Sequence, residues 1–78
     1  MSERSQKFGR DFGAECFKYY SLYRFENRDD VVNFASSLAK RVFPKPSEWS
    51  GADYLEFVDA FVLSFVAAWN DSNSKVSD

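Results

Sequence analysis

The apolar positions of the chain recur with a helical period in three separate segments. In the first segment they follow one another at spacings of four, four, three and four residues, which is the period of one helix face. The members of this stripe are Phe8, Phe12, Cys16, Tyr19 and Tyr23. The stripe predicts a first helix over about residues 5–23.

Two glycines, Gly9 and Gly13, lie beside this stripe. Each glycine inside a helix costs about 1 kcal/mol relative to alanine. A helix that contains both glycines therefore needs an interaction that offsets this cost. One interpretation is that another backbone approaches closely over the two glycines. The other is that the helix begins only after Gly13, and the sequence leaves both open.

The second helix has clear signals at both ends. Asn27 is a preferred N-cap residue, and Asp30 three positions later resembles the partner in a capping box. Pro44 stops the helix because the residue before a proline avoids helical angles. These signals predict a helix over residues 28–43. Its apolar face consists of Val31, Phe34, Ala35, Leu38, Ala39 and Val42.

The third helix repeats the same starting signal, with Ser50 as N-cap and Asp53 three residues later. It is predicted over residues 51–70, after an extended connection at 44–50 that contains two prolines. Apolar residues cover most of its circumference, and Leu63 appears even on the remaining face. A helix of this kind is buried on several sides, so we expect it to be central, with the other helices on its flanks.

These elements predict one domain, an all-α small three-helix bundle over residues 5–70, with a flexible N-terminus at 1–6 and a disordered tail at 71–78. A core of this size rarely supplies more than about 3 to 5 kcal/mol without disulfides, metals or oligomerisation. The apolar third helix therefore favours self-association through helices 1 and 3, as a homodimer. The alternative is a monomer whose aromatic side chains fill its own core.

Histidine is absent from the chain, and Cys16 is its one cysteine. This composition excludes Cys/His zinc sites, Ser-His-Asp and Cys-His catalytic sites and an internal disulfide. Asp53, Glu56 and Asp59 share one helix edge, where we interpret them as the polar stripe of an otherwise apolar helix. We therefore expect no catalytic residue, no metal and no cofactor.

The formal net charge of the 78 residues is -2, and general nucleic-acid binders are usually strongly basic. The segment at residues 18–25 nevertheless mixes Lys18 and Arg24 with three tyrosines and Phe25. That mixture is typical of surfaces on which single-stranded bases stack. Nucleic-acid binding through this segment is therefore the alternative function.

The first seven residues are polar, without the apolar stretch of a secretion signal. The longest apolar run, at residues 60–69, is too short to cross a bilayer. A single cysteine also fits a reducing compartment. We expect a cytoplasmic protein that lies in no membrane.

The remaining function class is a non-catalytic protein-protein interaction module. Small acidic, aromatic-rich chains without catalytic residues suit regulators, inhibitors and adaptors, including accessory proteins of phages and mobile elements. The expected partner is another protein or a second copy of the chain, since Trp, Tyr and Arg dominate binding energy at interfaces. The candidate partner-binding residues are Arg10, Phe12, Tyr19, Tyr20, Tyr23, Arg24, Trp49 and Trp69.

Overall fold

The computed structural model describes the backbone of residues 2–76 and the side chains of residues 4–72. Within that part of the chain there are three α-helices and no strand, so the predicted all-α three-helix bundle is confirmed. The helices are α1 (Ser2–Phe17), α2 (Arg28–Val42) and α3 (Gly51–Val76), and a 3₁₀ turn at Lys18–Tyr20 follows α1. No helix among the described residues is both long enough and apolar enough to pass through a membrane.

The central position expected for the third helix is confirmed. Both α1 and α2 pack on α3, α1 along the greater length, while no comparable contact joins α1 to α2. The ring of Phe8 lies 5.5 Å from that of Phe57, and the ring of Phe17 lies 5.2 Å from that of Phe65. Helices α1 and α3 therefore run parallel. The fully buried side chains of Phe57, Phe61 and Phe65 lie on the face of α3 that packs against α1.

The predicted starts of the second and third helices are also confirmed. The Asp30 amide donates to Asn27 Oδ1 at 3.0 Å, and the Asp53 amide donates to Ser50 Oγ at 3.1 Å. The Asp30 carboxylate accepts from the Glu26 amide at 3.2 Å, one residue earlier than in a standard capping box. Each cap satisfies backbone donors that the first turn of a helix leaves without a partner.

The predicted end of helix 1 at residue 23 is wrong, because α1 ends at Phe17 and the chain tightens into the 3₁₀ turn. Ser21 Oγ donates to the Lys18 carbonyl at 3.3 Å, and the Tyr23 amide donates to the Tyr20 carbonyl at 3.0 Å. Serine side chains compete in this way with the regular helical hydrogen bonds. Helix α2 ends at Val42 with Phe43 as its C-cap, close to the end predicted from Pro44.

Helices α1 and α3 both extend beyond the predicted helix bounds of about residues 5 and 70, into the segments expected to be flexible or disordered. Helix α1 already begins at Ser2, and α3 continues to Val76. Neither residues 2–6 nor residues 71–76 contain a glycine or proline that would end a helix, and each added residue forms one more helical hydrogen bond. Residue 1 and residues 77 and 78 lie outside the described part.

The connection between α2 and α3 contains a turn and is not extended throughout. The Trp49 amide donates to the Pro46 carbonyl at 3.1 Å. This turn brings the Trp49 ring to 5.4 Å from Phe43 and 6.1 Å from Phe57. The connection therefore covers one end of the core with an aromatic side chain.

The glycines of helix 1 mark a close helix crossing, which decides between the two interpretations left open above. A Cβ atom at Gly13 would lie 2.5 Å from the carbonyl oxygen of Phe61, and one at Gly9 would collide with the carbonyl oxygen of Phe57. Only glycine allows α1 to come so near the backbone of α3. We call this contact, Gly9 and Gly13 against Phe57 and Phe61, the glycine seam.

Candidate functional site

Two of the predicted partner-binding residues, Phe12 and Trp49, pack against the core. The half-buried ring of Phe12 stands edge-on to Phe61 at 5.8 Å, and Trp49 contacts Phe43 and Phe57 as described above. Both side chains stabilise the bundle through these contacts with other aromatic rings. We therefore do not carry them into the proposed binding surface.

Tyr20 occupies an intermediate position. Its half-buried ring meets the ring of Phe34 edge-on at 5.0 Å. The neighbouring Tyr19 is 80% exposed, because the 3₁₀ turn directs successive side chains to different sides. Tyr20 thus anchors the turn to α2, while Tyr19 projects into solvent.

Three other predicted residues, Tyr23, Arg24 and Trp69, come together around one depression. It has a volume of about 370 Å³, and Phe17, Leu22 and Phe25 also line it. Tyr23 and Arg24 come from the loop after the 3₁₀ turn, whereas Trp69 comes from α3. The half-buried Trp69 ring packs against the core on one side and lines the depression on the other. We call the surface formed by Leu22, Tyr23, Arg24 and Trp69 the aromatic end.

Leu22 is the member of this surface that the sequence analysis missed. Its side chain is 95% exposed, and that of Tyr23 beside it is 56% exposed. One signal was available, because Leu22 falls outside the regular apolar stripe that contains Tyr19 and Tyr23. A large apolar residue out of register with its helix face has no place in the core.

Arg10 lies on a different surface, in a groove between α1 and α3. The groove has a volume of about 460 Å³, and its α3 side is formed by Glu56, Asp59, Ala60 and Leu63. Gln6 joins Arg10 on the α1 side. The side chain of Leu63 is 64% exposed. We call this surface the charged groove.

Lys18 Nζ lies 3.5 Å from Glu15 Oε1. Both side chains are exposed, so the pair contributes little to stability. Burial raises the pKa of the neighbouring Cys16 thiol, and the negative charge of Glu15 raises it further. A thiol kept protonated in this way is a poor nucleophile.

Tyr54 is the second titratable group whose environment changes its pKa. Its hydroxyl donates to the Phe43 carbonyl at 2.7 Å, which fastens the start of α3 to the end of α2. Partial burial raises the pKa of this hydroxyl above its ordinary value. Tyr54 is therefore a structural contact and lies on neither candidate surface.

The carboxylates of α3 do not form a metal site within the described residues, where no group of three or more potential ligands is arranged to hold an ion. Glu56 and Asp59 line the charged groove, while Asp53 lies at the N-terminus of α3 beside its cap. In the same part of the chain, every buried side-chain nitrogen or oxygen atom has a hydrogen-bond partner.

The structure thus separates the candidate residues into two surfaces and a core. Comparison of the chain with protein-family models, with curated protein sequences and with solved structures finds no match. The aromatic end and the charged groove are therefore the two surfaces that bear on the function of the chain.

Proposed function

We propose that the chain is a non-catalytic protein-interaction module that binds a segment of another protein at the aromatic end. The observation that carries this proposal is Leu22, which is 95% exposed beside the depression that Tyr23 and Trp69 line. Burying a leucine side chain is worth about 2 kcal/mol. A partner that covers Leu22 recovers this free energy, and exposed apolar patches commonly mark binding sites.

The chemistry of the aromatic end indicates what the partner segment carries. Leu22, Tyr23 and Trp69 offer an apolar wall for one large apolar side chain. The exposed guanidinium of Arg24, at the edge of the same depression, offers paired donors for a carboxylate. Glu26 and Asp30 line a second depression with Arg24, so the carboxylate has to approach from the side of Leu22 and Trp69. The preferred ligand is therefore a peptide segment in which an apolar residue stands next to Asp or Glu.

A module of this kind works by occupying another protein or by joining two proteins, as small regulators, inhibitors and adaptors do. We place it in the cytoplasm, in line with the single free cysteine. The aromatic side chains suit this role because Tyr and Trp supply large contact areas with few rotatable bonds.

The direct experiment is an array of synthetic peptides that pair one large apolar residue with Asp or Glu, probed with the purified protein. A matched array has Lys in place of the acid. We expect the acidic peptides to bind, the Lys peptides to bind more weakly, and Leu22→Ser to weaken binding by about tenfold, the equivalent of the burial of part of one leucine.

Leu55→Ser is the matched control, since Leu55 is 62% exposed on α3 and outside the aromatic end. This variant should bind like the unmodified chain. The proposal would be wrong if no peptide bound, or if Leu22→Ser and Leu55→Ser bound equally.

Nucleic-acid binding through residues 18–25 stays the second candidate, on the strength of the exposed Tyr19 and Arg24. Two observations weigh against it: Tyr20 packs on Phe34, and Lys18 contacts Glu15. A single-stranded oligonucleotide at low salt is the probe. Binding that falls steeply with added salt and is lost in Tyr19→Ala would favour this function over peptide binding.

A further inference from the structure

The charged groove carries opposite charges on its two sides. Arg10 projects from α1, and Glu56 and Asp59 project from α3. Between the described residues, no hydrogen bond or ion pair within 4.0 Å joins Arg10 to either acid. Leu63, 64% exposed, adds an apolar side chain to the same groove. The surface therefore presents a cation, two anions and a leucine that are all accessible to another molecule.

The position of Arg10 in this groove follows from the glycine seam. Gly9, the residue before it, allows α1 to approach the backbone of α3. Ser64 Oγ then donates to the Arg10 carbonyl oxygen at 2.7 Å, which ties the Arg10 backbone to α3. The arginine side chain thus projects from a backbone position that is held next to α3.

We infer that the charged groove is the contact face between two copies of this chain related by a two-fold axis. In this arrangement the Arg10 of each copy faces Glu56 and Asp59 of the other, and the Leu63 side chains are covered between them. A two-fold contact uses the same patch on both copies, so the patch must be complementary to itself. A groove that carries both signs of charge around an exposed leucine meets that requirement.

Charge complementarity favours a second copy over an unrelated acidic or basic partner. An acidic partner would be attracted by Arg10 but repelled by Glu56 and Asp59. A basic partner would be attracted by the two acids but repelled by Arg10. Like charges brought together at an interface are strongly unfavourable. A second copy satisfies both halves of the groove at once.

The pairing leaves the aromatic end free, because Trp69 lies about 9 Å beyond Leu63 along the axis of α3. A dimer would therefore display two aromatic ends. Two linked binding sites raise the apparent affinity for a partner that offers two matching segments. The dimer does not rest on peptide binding, and the failure of either proposal leaves the other standing.

A charge-swap experiment tests the pairing directly. One variant is Arg10→Glu, and the other combines Glu56→Lys with Asp59→Lys. In a dimer of either variant, like charges face each other at both of the two equivalent contacts. We therefore expect the self-association of each variant to weaken by about tenfold or more. In a mixture of the two variants every opposed pair has opposite signs, so a heterodimer should form with at least the affinity of the unmodified chain.

The readout is native mass spectrometry together with light scattering over a wide concentration range. The unmodified chain should approach about 18 kDa, twice the 9.0 kDa of one chain, as expected for a two-fold dimer. Helical circular dichroism of each variant shows whether it is folded. A chain that stays at 9.0 kDa at every concentration would overturn the inference.

A second pair of variants controls for general attraction between oppositely charged proteins. Arg28→Glu and the combination of Glu26→Lys with Glu48→Lys make the same changes in net charge at exposed positions outside the groove. These variants should self-associate like the unmodified chain, each on its own. Heterodimers formed preferentially in their mixture, as in the groove mixture, would contradict the assigned pairing.

Leucine variants distinguish the groove from the aromatic end. Leu63→Ser should weaken self-association by about tenfold, since it removes the covered apolar side chain. Leu22→Ser should leave self-association unchanged. The reverse result would overturn the inference, because the aromatic end would then be the contact between copies.

Discussion

The glycine seam and the aromatic end join α1 and its following turn to the rest of the bundle in opposite ways. At the seam, α1 approaches α3 until a Cβ atom at Gly13 would lie 2.5 Å from a backbone oxygen. At the aromatic end, the contacts are between rings, such as Tyr23 and Phe34 at 5.4 Å, and Leu22 is left exposed. At the glycine seam α1 contributes glycine, the smallest residue. At the aromatic end the contacts are made by some of the largest side chains of the chain.

The difference indicates which part of the molecule specifies the fold and which part is available for binding. Small residues that admit a neighbouring backbone can be replaced only if the helices move apart, so they fix the geometry. Large apolar side chains left in solvent do nothing for the isolated fold. Their free energy of burial is realised only when another chain covers them.

The largest expected effect comes from adding a methyl group at the seam, in Gly13→Ala. Alanine favours a helix by about 1 kcal/mol over glycine, but here the new Cβ would collide with the Phe61 carbonyl. Overpacking typically costs about 1 to 3 kcal/mol, and the upper end of this range applies here because the atoms in the way belong to the Phe61 backbone and cannot rotate aside. We expect a net loss of about 2 kcal/mol in the free energy of unfolding, measured by urea denaturation followed by circular dichroism.

Gly51→Ala is the matched control, because a Cβ atom at Gly51 meets no atom within 4 Å. Its stability should equal or slightly exceed that of the unmodified chain. If Gly13→Ala proved as stable as Gly51→Ala, α1 and α3 would not be in the close contact described.

A smaller effect is expected from Ser64→Ala, which removes the hydrogen bond to the Arg10 carbonyl across the seam. A hydrogen bond of this type contributes about 1 kcal/mol. Ser37→Ala, at an exposed position of α2, provides the control and should change the unfolding free energy much less. Equal effects in the two variants would show that the cross-helix bond adds nothing to the seam.

Alkaline pH should weaken the buried part of the bundle. Folding raises the pKa of both Cys16 and Tyr54 through burial, so the folded state holds their protons more tightly than the unfolded chain does. The Cys16 contribution to the unfolding free energy should be constant below the ordinary cysteine pKa and fall as pH rises above it. The Tyr54 contribution should follow at higher pH.

Denaturation curves taken between neutral and alkaline pH measure this dependence. Tyr54→Phe removes the tyrosine contribution, so the decline at the upper end should become shallower than in the unmodified chain. A stability that rose with pH over this range would mean that the two groups ionise more readily in the folded state than assigned.

The smallest effect on stability is expected at the aromatic end. Leu22→Ser changes a side chain that is 95% exposed, and substitutions at such sites usually lie within about 0.5 kcal/mol of zero. The same denaturation experiment checks this value. A loss of unfolding free energy comparable to that of Gly13→Ala would show that Leu22 stabilises the fold and is not free to contact a partner.

The helix starts were predictable from the sequence because capping depends on residues a few positions apart. Asn27 and Ser50 each accept the expected amide hydrogen bond. The two glycines marked the right surface of helix 1, but only the position of α3 could decide between a close crossing and a late helix start. That decision depends on residues about fifty positions apart in the chain.

The candidate surface was only partly predictable. Aromatic character alone does not distinguish Trp49, which a turn in the connection directs onto Phe57, from Trp69, which lines an open depression. The position of Leu22 outside the apolar stripe predicted its exposure, but the end of α1 at Phe17, which places Leu22 after the 3₁₀ turn, could not be predicted from the spacing. The pattern indicates which residues are apolar, whereas exposure depends on where each helix ends.

Native-state hydrogen exchange tests the division between the two regions most directly, through two amides in hydrogen-bonded positions. The Phe61 amide lies in α3 at the seam, and the Tyr23 amide bonds to the Tyr20 carbonyl at the aromatic end. We predict that the Phe61 amide exchanges only on global unfolding, and that the Tyr23 amide exchanges through local opening at a much lower free energy. Equal opening free energies at both amides would contradict the account, because the aromatic end would then be as integral to the fold as the glycine seam.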